Sequence, residues 1–436
     1  MPLRAELQWG RQRLALSPLA FTPSQRALVL SPQQPEGRLV FRARLPDGTP
    51  VQRTYRFFYQ RYDFEVETRL AGPLPQGAAS LTLFWGPGLR QQPEHVERRG
   101  ETKAVSRSFV NGKLVHEDPE EAGEVREDRG TVTWVALADT YFTAVLLPQE
   151  PLGEAAIARR LSEEALEVAV RTPLAESNPA QRVRVYVGPK MQPLLTQLDP
   201  SLSRLIDLGF FSPLARPMVQ VLRLVNRVVH NYGVSIILVT ILIRLVFWPL
   251  TQKSYKSMQA MQKLQPKLKE LQVLYKDDRQ ALNRAMMQLY REHKVNPMGG
   301  CLPMLLQIPF FFAFYNALLY AIELRHAPFI CWDKELFWVG RGICDLSVHD
   351  PSYITPVLMG LSMFLQQRLT PTTADPTQAK IMQFMPLLFL IFFLKAPAGL
   401  VLYWLMSNVL SIVQQLLINR AYRQETVAAE AVSKEK

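Results

Sequence analysis

The sequence is poor in the groups that usually build a reaction centre. It has three cysteines in 436 residues, and none stands at a zinc-ligand spacing. It has no Gly-rich phosphate loop and no aromatic RNA-reading motif, so nucleotide hydrolysis and base stacking have no sequence anchor. Residues 1–195 contain no cysteine, and their histidines are His95 and His116. No nucleophile motif occurs there, and Asp and Glu fall mainly in loop-like runs. This half therefore reads as a structural or docking module. No catalytic residue, metal or cofactor is expected anywhere in the chain. The opening "MPLRAELQWG" has no apolar core of the kind a signal peptide needs. Finally, the long apolar stretches of the second half hold no Asp or Glu.

The chain does carry an excess of positive charge, +12 at neutral pH, and 48% hydrophobic residues. These are unevenly spread. Up to about residue 195 the sequence is polar with short alternating runs: "GRLVFRARL", "TYRFFYQRYDFEVETRL", "ASLTLFWGPGL", "TVTWVALADTYFTAVLLP" and "QRVRVYVGP". Gly, Pro, Asp and Asn bound them, which predicts an all-β sandwich-like domain over 1–195. "EDPEEAGEVREDRG" (117–130) reads as a charged loop.

From Gly233 onward the pattern changes to apolar stretches at 233–250, 301–322, 353–369, 381–394 and 400–418. Five membrane spans are expected. The third and fourth, at 17 and 14 residues, reach about 26 and 21 Å at about 1.5 Å per residue. Both fall short of a hydrocarbon core of about 30 Å and would thin the bilayer locally. Before the first span, Arg216 to His230 has helical period: Gln220, Arg223, Arg227 and His230 share one face, and Val219, Leu222, Val225 and Val229 another. The segment 201–231 is expected to contain an amphipathic helix in the membrane interface.

The connection after the first span sets the orientation. Lys253, Lys256, Lys263, Lys267, Lys269 and Arg284 are among ten basic residues between 253 and 294, against four acidic ones. That excess marks the cytoplasmic side. Arg325, Lys334 and Arg341 are the Lys and Arg residues of 323–352, which therefore faces out. The β-domain precedes the first span and lies outside too, so an upstream anchor is expected. Within 253–298, apolar residues at spacings of three and four predict a helical hairpin, turning at "KDDRQ" and kinked near Pro266. Its basic surface suits RNA or anionic lipid, or is simply solvated. Cys331 and Cys344 share the loop "CWDKELFWVGRGIC", either as a disulfide or as two unpaired thiols.

Arg244 interrupts the first span. A cation at that depth costs about 2.5–3.5 kcal/mol on insertion scales. No acidic partner lies in any span, so a hydrated cavity is expected around it, and packing against backbone carbonyls is the other reading. Thr240, Gln307, Ser362, Tyr403, Ser407 and Asn408 add polar groups at similar depths. A small-solute transporter or channel is one function that fits. Without an acidic relay or a clear internal repeat it is the weaker one. A membrane-anchored carbohydrate-binding protein acting through residues 1–195 is a third.

Longer stretches are specific. "NYGVSIILVTILIRLVFWPLTQKSYKSMQAMQKLQPKLKEL", "YREHKVNPMGGCLPMLLQIPFFFAFYNAL", "DPSYITPVLMGLSMFLQQRLTPTT", "DPTQAKIMQFMPLLF" and "PAGLVLYWLMSNVLSIVQQLLINR" occur in this order. Over about 183–420 the chain closely resembles the YidC membrane protein insertase family. The resemblance implies a large periplasmic β-domain, a five-helix core at 233–420, a cytoplasmic hairpin at 253–298 and a cytoplasmic tail at 421–436. It implies insertion of newly made proteins into the bacterial inner membrane, alone or with the Sec translocon, with no enzyme chemistry. The implied partners are nascent membrane proteins, the ribosome, the translocon and lipids; no specific nucleic acid is among them, and the protein would act as a monomer. Arg244 matches the family's groove arginine, with Thr240, Gln307, Ser362, Tyr403, Ser407 and Asn408 as groove residues. The hairpin lysines and Arg284 would meet ribosome or substrate. Gram-negative members begin with an extra span, consistent with the upstream anchor.

Overall fold

The computed structural model describes residues 3–72, 79–89, 104–116, 118–163, 165–176, 179–276, 278–293, 295, 302–332, 342–369 and 376–434; at 258, 262, 279, 302–307, 376–383 and 421–434 it describes the backbone alone. The chain forms two compact units, Met1–Asp207 and Leu208–Lys436.

The first unit is an antiparallel sheet of fourteen strands. In chain order these are β1 (Leu3–Trp9), β2 (Gln12–Ala15), β3 (Thr22–Pro23), β4 (Glu36–Arg44), β5 (Pro50–Phe58), β6 (Asp63–Leu70), β7 (Ala79–Trp85), β8 (Val105–Val110), β9 (Lys113–Val115), β10 (Val125–Ala138), β11 (Phe142–Glu150), β12 (Gly153–Arg160), β13 (Leu166–Leu174) and β14 (Ala180–Pro189). The hydrogen-bonded path runs β2-β1-β7-β13-β12-β10-β11-β14-β6-β5-β4-β3, with β8 and β9 attached beside β10. The sheet folds over so that distant strands face each other across a shared core. Gln181 on β14 donates its side-chain amide to the Leu81 carbonyl on β7 (3.0 Å) and to Thr172 Oγ1 on β13 (2.8 Å), although β14 lies far from both along the path. The enclosed core includes Leu7, Leu81, Leu83, Leu137, Leu146, Val168 and Val183, all fully buried. Local chemistry sets the turns. Asn111 and Gly112 both take positive φ between β8 and β9, the backbone that a two-residue hairpin requires. Between β10 and β11, Asp139 Oδ1 accepts from the amides of Tyr141 (2.8 Å) and Phe142 (2.6 Å).

The charged segment 117–130 differs from expectation. Its second half is the start of β10, paired with β12 from Val125 onward. The charges are accommodated on the outer face, where Glu127 accepts from Arg129 (2.8 Å) and from Arg171 on β13 (2.8 Å). A short helix, α1 (Gln192–Leu198), and a 3-10 turn at Pro200–Leu205 complete the unit. Buried Trp134 packs with Leu195, Leu202 and Leu205 and donates its indole N–H to Ser201 Oγ at 2.8 Å.

The second unit is helical: α2 (Ser212–Val229), α3 (Tyr232–Lys263), α4 (Gln265–Leu274), α5 (Arg279–Glu292), α6 (Leu302–Tyr320), α7 (Ile354–Leu369), α8 (Pro376–Phe393) and α9 (Ala398–Lys434). By length and composition alone, Tyr232–Met261 and Ala398–Arg420 are long and apolar enough to cross a membrane among the described residues. Large apolar side chains stay exposed on the outside of the bundle, among them Val246, Leu361, Phe384, Leu388, Phe392 and Leu417. Faces of this kind need a partner other than water. Inside, aromatic rings fill the space between α6, α8 and α9: Phe311 lies 4.6 Å from Trp404, Phe314 lies 4.8 Å from Tyr403, and Phe393 lies 4.9 Å from Trp404, centroid to centroid.

Several boundaries move from their expected places. The first span and the start of the expected hairpin are one continuous 32-residue helix, α3. The break comes at Leu264, and Pro266 falls in the first turn of α4, where its missing N–H costs nothing. The helix pair is therefore α4 and α5, packed through Leu264, Leu268 and Tyr290. Asp278 caps α5 by accepting from the amides of Gln280 and Ala281. Helix α8 has 18 residues rather than 14 because it begins at Pro376. In α2, Arg223 does not lie on a solvated face. It forms an ion pair with buried Glu323 at 2.6 Å, while Leu224 and Val228 are exposed. The segment packs through Ala215, Val219 and Leu222, against α6 and α3.

Candidate functional site: a polar seam between α3 and α9

Arg244 lies near the middle of α3 and is followed by exposed Leu245 and Val246. Its Nη2 donates to the Ser407 carbonyl on α9 (3.0 Å) and to Ser407 Oγ (2.6 Å). These are its hydrogen bonds among the described residues, and neither acceptor is charged. An arginine stays protonated in proteins, so this guanidinium carries a full positive charge, compensated on one side by a backbone dipole and a hydroxyl. The rings of Tyr255 and Tyr403 lie within electrostatic reach of it, and Tyr403 is buried against Phe311 and Phe314.

The same two helices meet through further polar pairs. Gln414 donates to Thr251 Oγ1 at 2.6 Å, and Gln259 to Asn419 Oδ1 at 2.6 Å. Arg244 to Thr251 and Ser407 to Gln414 are both steps of seven residues, two helical turns. The contacts therefore recur along one line of the α3–α9 packing. On the other side of α9, Asn408 donates to Ser362 Oγ on α7 (3.1 Å), and Gln415 donates to the Leu369 carbonyl (2.5 Å). Helix α9 thus carries a polar stripe at Ser407, Asn408, Ser411, Gln414 and Gln415, every member buried. The stripe lies within an otherwise apolar helix, and its spacings of three and four were the signal available in the sequence. Thr251, Gln259, Gln414, Gln415 and Asn419 are members that sequence reasoning did not single out.

The expected residues divide as follows. Arg244, Tyr403 and Ser407 are together, and Ser362 and Asn408 form a second pair. Thr240 is buried and turns its hydroxyl back to the Ile236 carbonyl at 2.6 Å, a local bond within α3 rather than a member of the cluster. The side chain of Gln307 lies outside the described residues. Lys253, Lys256 and Lys263 are on α3, Lys267 and Lys269 on α4, and Arg284 on α5; all six are exposed. Lys267 Nζ lies 3.1 Å from His293 Nε2. Cys331 and Cys344 are joined, with Cα atoms 4.6 Å apart, beside the antiparallel bridge between Ile330 and Ile343. Cys301 lies outside the described residues.

An antiparallel β-unit followed by a helical unit with an apolar exterior and a polar seam defines a class: a membrane protein with a large extramembrane β-domain. The particular family is given by comparison with known proteins. The sequence profile described as "60Kd inner membrane protein" matches residues 224–425, and that described as "YidC periplasmic domain" matches residues 4–221. The chain is 40% identical over 407 residues to the "Membrane protein insertase YidC" of Geobacter sulfurreducens, covering 92% of this chain and 74% of that protein. It is 40% identical over 425 residues to the protein of the same name from Geobacter metallireducens, covering 96% and 76%. A crystal structure described as an active YidC insertase with its first transmembrane domain resolved aligns over 94% of this chain and 82% of that one, at 18% identity and a TM-score of 0.40. The chain belongs to the YidC family of bacterial inner membrane proteins.

Proposed function

We propose that this protein inserts newly made proteins into the bacterial inner membrane, and that the Arg244 side of the α3–α9 seam is where the polar part of a client crosses. In this reading residues 1–232 are periplasmic and the C-terminus is cytoplasmic. The exposed lysines of α3 and α4, with Arg284, face the ribosome or an emerging client. The Sec translocon and lipids are the other partners, and no catalytic step is required.

One observation carries the proposal. A full positive charge sits at mid-helix, and among the described residues its hydrogen bonds go to a serine hydroxyl and a backbone carbonyl, with no carboxylate. A structural cation would be expected to gain a counter-ion, because an uncompensated charge at that depth is costly. Arg244 instead retains attraction for a transient anionic guest. Ser407 holds it from one side and fixes where the charge stands, so an acidic or polar tail gains interaction at the depth where desolvation is worst.

Helix α7 shortens the path. Its 16 residues span about 24 Å at about 1.5 Å per residue, and a short span thins the adjacent bilayer. The membrane potential then favours outward passage of negative charge, by about 2.3 kcal/mol per charge per 100 mV. The client's apolar segment leaves into lipid past exposed side chains such as Leu388 and Phe392 of α8. A basic tail is disfavoured at both stages.

The test is reconstitution. Proteoliposomes containing the protein should give protease-protected insertion of a single-span client presented on stalled ribosomes, and protein-free liposomes should not. Ion-coupled solute flux without insertion would establish a transporter instead.

A further inference from the structure

The connection between α6 and α7 is fastened to the same two helices that hold Arg244. Two limbs of it are described, 321–332 and 342–353, and Cys331 is joined to Cys344 across them. Further ties run beside the disulfide. The Phe329 amide donates to the Ile343 carbonyl at 3.0 Å, and the Leu346 amide donates to the Ala327 carbonyl at 3.1 Å. His326 Nδ1 lies 3.4 Å from Asp345 Oδ2.

Each limb meets the start of one helix. At α3, Asn231 Nδ2 donates to the Phe329 carbonyl at 3.0 Å, while its Oδ1 accepts from the Val234 amide at 3.1 Å. The residue that caps the helix therefore also holds the first limb. Gly233 lets the Phe329 ring come close, since a methyl group there would collide with that ring. At α9, the first amides have no partner within their own helix. Ala398 donates to the Val348 carbonyl at 2.6 Å and Gly399 to the Leu346 carbonyl at 2.9 Å. A methyl group on Gly399 would lie 3.2 Å from the Leu346 oxygen and 3.3 Å from Ile236 Cδ1. The second limb, α9 and α3 thus meet at one point.

Register links that point to Arg244. Ile236 to Arg244 and Gly399 to Ser407 are both steps of eight residues, about 12 Å at about 1.5 Å per residue. Thr240 stands halfway along the same line of α3 and is buried. A slip between the helices at Gly399 would carry Arg244 away from Ser407.

We propose that the two limbs joined by Cys331 and Cys344 form a clasp on the starts of α3 and α9, which sets the register of the Arg244–Ser407 pair and closes that end of the seam to water. The inference rests on the insertase reading, in which this end faces the oxidising periplasm, where a disulfide persists. An acidic tail then reaches Arg244 from the cytoplasmic or lipid side, with no competing water from outside.

The test reads thiol accessibility in membrane vesicles that carry the full protein. Cys301→Ala with Thr240→Cys leaves one free thiol between the clasp and Arg244. A membrane-impermeant maleimide is applied to right-side-out and to inside-out vesicles. With the clasp intact, the thiol should stay unreactive from outside. Cys331→Ser with Cys344→Ser should speed labelling in right-side-out vesicles by about tenfold or more, the mark of a local opening. Gly233→Ala keeps the disulfide, pushes Phe329 aside and should speed labelling in the same vesicles. Unchanged labelling in either variant would overturn the clasp; client insertion, measured separately, would stand or fall by itself. Faster labelling in inside-out vesicles alone would overturn the orientation on which the clasp rests. Ala313→Cys, at a fully buried position on α6, should stay unreactive throughout. Its labelling in the clasp-free protein would show general loosening and overturn the proposal.

Discussion

Arg244 on α3 is held by Ser407 on α9 through two acceptors at once, the backbone carbonyl at 3.0 Å and the hydroxyl at 2.6 Å. The pair ties the first long helix of the bundle to the last and, among the described residues, leaves the cation without a counter-ion. Replacing Ser407 by Ala removes the hydroxyl and keeps the carbonyl. The expected loss is about 1–2 kcal/mol, the range of a charge-assisted bond tempered by the modest values seen within membranes. Thermal unfolding in detergent should register it as a fall in melting temperature. An unchanged melting temperature would mean that Ser407 does not anchor Arg244.

Two turns further along, Gln414 and Thr251 repeat the contact between the same helices at 2.6 Å. Gln414→Leu should weaken the α3–α9 pairing by about 1 kcal/mol or less. Thr251 keeps its bonds to the Phe247 and Trp248 carbonyls, so no hydroxyl is orphaned. Hydrogen exchange along α9 should accelerate C-terminal to residue 411 and stay unchanged near Ser407. Uniform loosening would show that the seam is one cooperative unit.

Cys331 and Cys344 close a loop of 13 residues' separation. Protein purified without reductant and then unfolded should therefore take up one maleimide per chain, at Cys301, and three after reduction. Three without reduction would show that the pair is open. Reduction should loosen the bridge between Ile330 and Ile343, because a closed loop of this size limits the unfolded chain by about 3 kcal/mol in the entropic account.

Lys190, after β14, gives the β-domain a pH signature. Burial pushes its ammonium down to about 8, with Arg107 adding to the shift and Asp139 and Asp207 opposing it. An ordinary lysine titrates near 10.4. Between about pH 8 and 10.4 the unfolded chain therefore binds more protons than the folded one, and stability rises with pH across that window. Below about 8 both states are charged and the slope vanishes. The rise is on the order of 3 kcal/mol, read from denaturation of the β-domain. Lys190→Met should flatten it, and an unchanged slope in that variant would assign the effect to other groups.

The sequence exposed different parts of the molecule to different degrees, for physical reasons. Strands such as β5 and β6 were legible because apolar residues on a core face alternate with polar and charged residues on the outer face. β12 and β13 were not, since "GEAAIARR" and "LEVAVRTPL" mix alanine and charge and become strands only by pairing with their neighbours. The charged start of β10 was hidden for a related reason: Glu127 is stable in a strand because Arg129 and Arg171 lie beside it, and Arg171 comes from a distant segment. In the helical unit, Arg244 stood out as a lone cation in an apolar run. Gln414 and Gln415 did not, because glutamines near the end of an apolar stretch look like ordinary interface residues until α3 and α7 are packed against them. The local bond from Thr240 to Ile236 was equally invisible, and it removes from the cluster a residue that helical spacing had placed there.

The central claim is electrostatic, and a charge-exchange experiment tests it most directly. A single-span client is prepared with an acidic and with a basic translocated tail, and insertion of each is measured in proteoliposomes of the parent protein and of Arg244→Glu, with Arg244→Gln as the neutral reference. The account predicts that the parent prefers the acidic tail, that Arg244→Gln reduces this preference, and that Arg244→Glu reverses it. The same preference for the acidic tail in all three proteins would contradict the account and leave Arg244 as a tie between α3 and α9.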